Sequence, residues 1–124
     1  MIIPYRGSMP QIAAGVFLAP TATVIGDVHV GAESGLWFGV IVRGDVNQIR
    51  IGCRSNLQDG TIVHVTSRTY PTRIGDSVTV GHGVRLHGCT IGDGALIGIV
   101  PSSWTVRWSA RGRWWRPVLW SCPG

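Results

Sequence analysis

The chain is expected to be all-β, wound as a single-stranded parallel β-helix. Two observations predict this. Branched aliphatic residues recur every six positions, at Leu18, Val24, Val30, Leu36 and Val42, then at Ile51, Leu57 and Val63, then at Ile74, Val80 and Leu86, and after a five-residue step at Ile91 and Ile97. Glycine often follows these leads, as at Gly31, Gly52, Gly75, Gly81, Gly92 and Gly98, and a small or β-branched residue often falls four positions later, as at Ala22, Val28 and Ala95. A six-residue period is too short for an amphipathic helix and too regular for ordinary hairpins. Self-similarity at a fixed period marks a repeat architecture.

Each element follows from that period. One step makes a short strand and a turn, three steps close a triangular coil, and coils stack about 4.8 Å apart through backbone hydrogen bonds. The leads fill the interior, and glycine and asparagine supply the turn dihedrals. An irregular β-sandwich would not place thirteen aliphatic leads in such close register. Two insertions interrupt the count: Val42 to Ile51 is nine residues, and Val63 to Ile74 is eleven, with Ser67, Arg68, Thr69, Tyr70 and Pro71 in the excess. Both read as loops bulging from a corner of the coil.

The repeat defines one β-helix domain, residues 1–100. Residues 101–124 do not share the period and hold five of the six tryptophans, four arginines and no acid. We read this tail as a shifted reading frame, because with permitted codon choices the neighbouring frame of Pro101–Gly124 continues the hexapeptide pattern. The gene's nucleotide sequence tests that reading. A membrane-surface or partner-binding tail and a nucleic-acid contact are the weaker alternatives. The C-terminal part of the solenoid would then be missing, and a solenoid without its cap is expected to be less stable and prone to edge pairing.

Composition narrows the class. The net charge of +5 comes from the tail, since residues 1–100 carry seven arginines against six acids. A nucleic-acid partner is therefore not expected. There is no apolar run of about 18 residues, so no transmembrane helix, and Met1–Gly7 lacks the pattern of a secretory signal. Cys53, Cys89 and Cys122 are odd in number and widely spaced, without a C-x-x-C pair. Neither a disulfide framework nor a cysteine zinc site is indicated, and a cytoplasmic location is expected.

The chemistry lies in the histidines. With both insertions treated as corner loops, Val42, Val63 and Leu86 fall on one face, one coil apart. Their followers Arg43, His64 and His87 then form an outward column. Two imidazoles about one rung apart can share a zinc ion, with Zn–N near 2.0–2.1 Å. Leu57 and Val80 fall on another face, carrying Gln58 and His82, so His82 cannot easily turn the corner to join the pair. A neighbouring chain can supply it. The expectation is a homotrimer with intersubunit metal sites, His64 and His87 from one chain and His82 from the next. His29 stands alone and is set aside. Asn56 and Asp59 read as turn residues, Cys89 as a small buried residue, and Arg43-Gly-Asp45 by itself as a turn with a surface ion pair.

Residues 4–100 resemble the gamma-class carbonic anhydrase family, in particular its shorter bacterial branch. The resemblance rests on Pro4-Tyr-Arg-Gly, Trp37-Phe-Gly, Val42-Arg-Gly-Asp45, Asn56-Leu-Gln-Asp-Gly60, His64, Gly81-His82, Leu86-His-Gly-Cys89 and Ile91-Gly-Asp-Gly-Ala-Leu-Ile-Gly98. It implies left-handed winding, which spacing alone cannot give, it strengthens the trimer, and it implies C-terminal coils and a final helix that are missing or replaced here. It implies that His64, His82 and His87 bind zinc (iron or cobalt in some members), that Arg43 and Asp45 pair across subunits, and that Gln58 borders the metal-bound solvent. The implied reaction is attack of metal-bound hydroxide on carbon dioxide to give bicarbonate. The glutamates of prototype members are absent, with Val46 at one position and Val65-Thr66-Ser67 after His64, so weak or absent activity is expected. The competing readings are a hexapeptide-repeat acyltransferase, a thioesterase-type metallohydrolase and a noncatalytic metal-binding scaffold.

Overall fold

The computed structural model describes residues 1–98; the tail from 101 onward, and the frame-shift reading attached to it, lie outside the described residues. The strands are β1 (Ile2–Ile3), β2 (Gln11–Ile12), β3 (Phe17–Leu18), β4 (Thr23–Val30), β5 (Gly35–Leu36), β6 (Ile41–Ile51), β7 (Asn56–Leu57), β8 (Ile62–His64), β9 (Thr72–Ile74), β10 (Thr79–Val80), β11 (Arg85–His87), β12 (Thr90–Ile91) and β13 (Leu96–Ile97). Every pairing between them is parallel. Among the described residues there is no helix, and so none long and apolar enough to cross a membrane.

Three stacked faces result. On the first, Val24 pairs with Val42, Val42 with Val63 and Val63 with Leu86. On the second, Val30 pairs with Ile51, Ile51 with Ile74 and Ile74 with Ile91. On the third, Leu18, Leu36, Leu57, Val80 and Ile97 follow one another. These columns are the six-residue leads. All but the partly exposed Leu18, in the first coil, are buried. The position four after most leads also points inward, from Ala22 and Val28 through Val40 and Val84 to Ala95; after Val42, Val63 and Leu86 that position, Val46, Ser67 and Thr90, is exposed. Two inward positions in most steps make one continuous apolar column, the main stabilising element of a solenoid whose coils touch only their neighbours.

Where that second position holds a hydroxyl, it is hydrogen-bonded along the stack, as a buried polar group must be. Ser34 donates to the Gly52 carbonyl (2.7 Å) and Ser55 to the Gly75 carbonyl (2.6 Å). Close approach explains one glycine column. A Cβ on Gly31 or Gly52 would lie 2.6 Å from the backbone carbon of the glycine in the next coil.

The two insertions differ from the expected pair of loops. The first remains within a continuous strand. β6 runs from the first face through the corner to the second, and its register against β4 shifts between Gly26 and Val28. Gly26 faces Gly44 and Val28 faces Ile49, so Asp45–Gln48 stands opposite the single residue Asp27. Such a bulge keeps pairing on both sides of the extra residues. The second insertion is a loop outside the coil, closed by an antiparallel bridge between Thr66 and Tyr70.

Candidate metal centre

Interior packing of β8 and β11 sets the site. Val63 and Leu86 point into the core, so the residues after them must point out. His64 and His87 are direct register partners on adjacent rungs. Their ring centroids are 5.1 Å apart at an interplanar angle of 69°. Two imidazoles bound tetrahedrally to one zinc at 2.0–2.1 Å have centroids about 5 Å apart, so the ring separation is compatible with one shared ion, while both Nε2 atoms here are engaged by protein groups.

Arg43 follows Val42 on the same face. It is joined within the chain to Asp45, Nη1 to Oδ2 at 3.0 Å. The resemblance implied this pair across subunits. Residues two apart in a strand lie on the same side, which lets the two groups meet locally. Asp45 also accepts from His64 Nε2 at 2.8 Å. The bulge that breaks the six-residue count therefore carries the carboxylate that orients His64. Burial works to raise the Asp45 carboxyl pKa, but the His64 hydrogen bond, the charges of His64 and Arg43, and its own backbone N–H outweigh it and hold the group below its ordinary value. Asp45 also lines a groove of about 300 Å³ with Tyr5, Arg6, Asp27 and Gln48.

His87 is held from the second insertion. Thr66 Oγ1 lies 2.9 Å from His87 Nε2. The Thr66 carbonyl in turn accepts from Asn47 Nδ2 at 3.1 Å. Thus both insertions, which the repeat count registers only as interruptions, reach the histidine pair.

His82 and Gln58 lie elsewhere, as the face count requires. Gln58 follows Leu57 on the third face, its N–H donating to the Val80 carbonyl at 3.0 Å. His82 stands at the next corner, its side chain 54% exposed, with Nδ1 3.1 Å from Asp59 Oδ2. Phe38, Asp59 and the His82 rung stack along this corner, linked by Gly60 N–H to Phe38 O and Gly83 N–H to Asp59 O. Among the described residues, no three metal-binding side chains of one chain cluster together.

Asp59, expected as a turn residue, is thus the partner of His82, and Thr66 and Asn47, which the six-residue period does not mark, join the site from the two insertions. One available signal was position: Asp59 precedes a corner glycine one coil from His82. Cys89 is buried, as expected.

No protein-family model matches the chain. Over 95 residues it is 48% identical to gamma carbonic anhydrase 2, mitochondrial, of Arabidopsis thaliana, covering 73% of this chain and 34% of that protein. Over 99 residues it is 48% identical to a carbonic anhydrase of Geobacillus kaustophilus, covering 80% of this chain and 54% of that one. The chain thus spans about a third to a half of the length of these relatives. A solved hexapeptide transferase family protein from Anaplasma phagocytophilum superposes with a TM-score of 0.73 at 41% identity, over 77% of this chain and 55% of that one.

Proposed function

The chain belongs to the gamma-class carbonic anhydrase family of hexapeptide-repeat proteins, and on that premise we propose that it is a zinc-dependent carbonic anhydrase-like protein acting on carbon dioxide and bicarbonate. One observation carries the reading: His64 and His87 are register partners at zinc-sharing separation, while the third histidine of the set faces away from them. In this reading the protein is a cytoplasmic homotrimer, with His82 of a neighbouring copy completing each site. Exposed apolar side chains beside the histidine faces, Phe38 at 49% and Ile41 at 37%, support contact with another copy.

His64 and His87 with a neighbouring copy's His82 would hold the zinc ion, which would supply the Lewis acidity by which such sites lower the pKa of water to about 7, carbonic anhydrase itself being the standard example. The chain's own groups do the rest. Asp45 fixes the His64 ring through Nε2, and Arg43 balances the carboxylate charge. Thr66 fixes the His87 ring. Gln58, on the face that carries His82, is assigned to orient substrate through its amide. No carboxylate stands at Val46 or within Val65-Thr66-Ser67 to carry protons away, so turnover is expected to be slow.

The test is subunit complementation. His64→Ala and His82→Ala chains should each lose zinc when assembled alone. Mixed at equal amounts into cyclic trimers, they should regain about one quarter of the intact sites, because each site needs one good face from each variant. Zinc content and mass in solution read the outcome. Full zinc in either variant alone, or none in stable mixed trimers, overturns the reading. An acyltransferase would need one of these histidines and no zinc.

A further inference from the structure

We propose that two buried threonines, Thr72 and Thr61, are positioning residues for the three histidines; the inference rests on the reading that those histidines hold the metal. Among the described residues four polar side chains are buried: Ser34, Ser55, Thr61 and Thr72. The serines tie together coil corners at Gly52 and Gly75, and none of their bonds reaches a site histidine or its immediate chain neighbour. The threonines do something else. Thr72, wholly buried, donates to the His64 carbonyl at 2.6 Å and accepts from the Gly88 N–H at 3.0 Å. One hydroxyl thus bridges the backbone of His64 to the residue after His87. The direct bond across the same gap, Gly88 N–H to His64 O, is long at 3.3 Å, so the hydroxyl is the shorter link between the two rungs. Gly88 is confined from the other side as well, since a Cβ there would lie 2.8 Å from Tyr70 Cβ.

Thr61 repeats the arrangement one face earlier. It is also wholly buried, and it donates to the carbonyl of Gly81, the residue before His82, at 3.1 Å. A buried threonine hydroxyl therefore bonds the backbone of His64 itself and of the immediate neighbours of His87 and His82. The offset between the His64 and His87 rungs sets the offset between their rings, and a metal site tolerates little error in either. Nearby chemistry does not depend on which imidazole nitrogen binds the ion, because the threonines act on the backbone.

Three variants of the full chain separate positioning from plain stability: Thr72→Val, Thr61→Val, and Ser55→Ala, a buried hydroxyl that bonds neither a site histidine nor its immediate neighbour. Zinc binding is measured by calorimetry, and the His64–His87 ring cross-peak by NMR in zinc-free protein. Thr72→Val should weaken zinc binding about tenfold or more, the scale on which loss of an outer hydrogen-bond partner acts at metal sites, and should abolish the cross-peak. Thr72→Ser should restore both. Thr61→Val should weaken zinc binding and leave the cross-peak intact, since it acts on His82. Ser55→Ala should change neither. A Thr72→Val protein that retains the cross-peak overturns the inference, whatever its zinc affinity, and so does a Ser55→Ala protein that loses zinc as the threonine variants do. If the unaltered protein binds no zinc, the functional reading fails while the cross-peak still decides the role of Thr72.

Discussion

Replacing Gly52 by alanine should damage this fold more than replacing Gly60, for a reason the coil stack makes explicit. At Gly52 the backbone dihedrals are open to any residue, but a Cβ would lie 2.6 Å from the Gly75 carbonyl carbon and oxygen and 2.3 Å from Asp76 Oδ1. The carboxylate could swing away; the backbone of the next coil cannot. It is held by Gly52 N–H to Ile74 O at 2.8 Å, and by Gly31 N–H to Ile51 O at 2.8 Å in the coil before. Relief requires parting two coils locally. Overpacking of this kind costs about 1–3 kcal/mol, and loss of one ladder hydrogen bond adds about 1 kcal/mol. At Gly60 the situation is reversed. The nearest atom to a Cβ is 3.8 Å away, but φ is +73°. There the cost is the left-handed dihedral, about 1–2 kcal/mol. Urea unfolding at equal slope should therefore rank Gly52→Ala below Gly60→Ala in midpoint, by about 1 kcal/mol or more. If Gly60→Ala is the less stable variant, the close-packed glycine column is not what limits coil spacing.

Two further outcomes follow from the buried polar groups. Ser55→Ala removes the donor to Gly75 O and leaves the Val78 N–H, which Ser55 Oγ accepts at 3.1 Å, without that partner; calorimetric unfolding should show a loss of about 1–3 kcal/mol, and a loss below about 0.5 kcal/mol would mean that water replaces the hydroxyl. Asp45 has a lowered pKa in the fold, so its contribution to stability is complete above the ordinary carboxylate value of about 4 and is lost as pH falls below it. Asp45→Asn should accordingly flatten the acid limb of the stability curve in zinc-free protein, measured by denaturant titrations stepped downward from pH 5. Parallel curves for the two proteins would show that the Arg43–Asp45–His64 contacts contribute nothing to folding.

Much of this molecule was legible in its order of residues. A period of six, with aliphatic leads and a second small position, is a statement about which side chains share an interior, and burial of the leads from Val24 to Ile97 follows from it. Because strand side chains alternate, the same count places Arg43, His64 and His87 outside on one face and His82 on another. Winding sense came only through the resemblance to relatives, since a period carries no handedness. What the tertiary structure decided lies where the count fails. The extra residues Asp45–Gln48 could have looped outward; pairing on both sides of the bulge keeps them in β6 and brings a carboxylate onto His64. The excess around Tyr70 could have been solvated; its bridge folds Thr66 onto His87. Thr61 and Thr72 read in sequence only as small or β-branched residues, because a hydroxyl's partner across a coil is some 20 residues away or across a loop of uncertain path. Periodicity reports which side of the wall a residue faces, and hydrogen bonds between rungs depend on distances that only the closed coil defines.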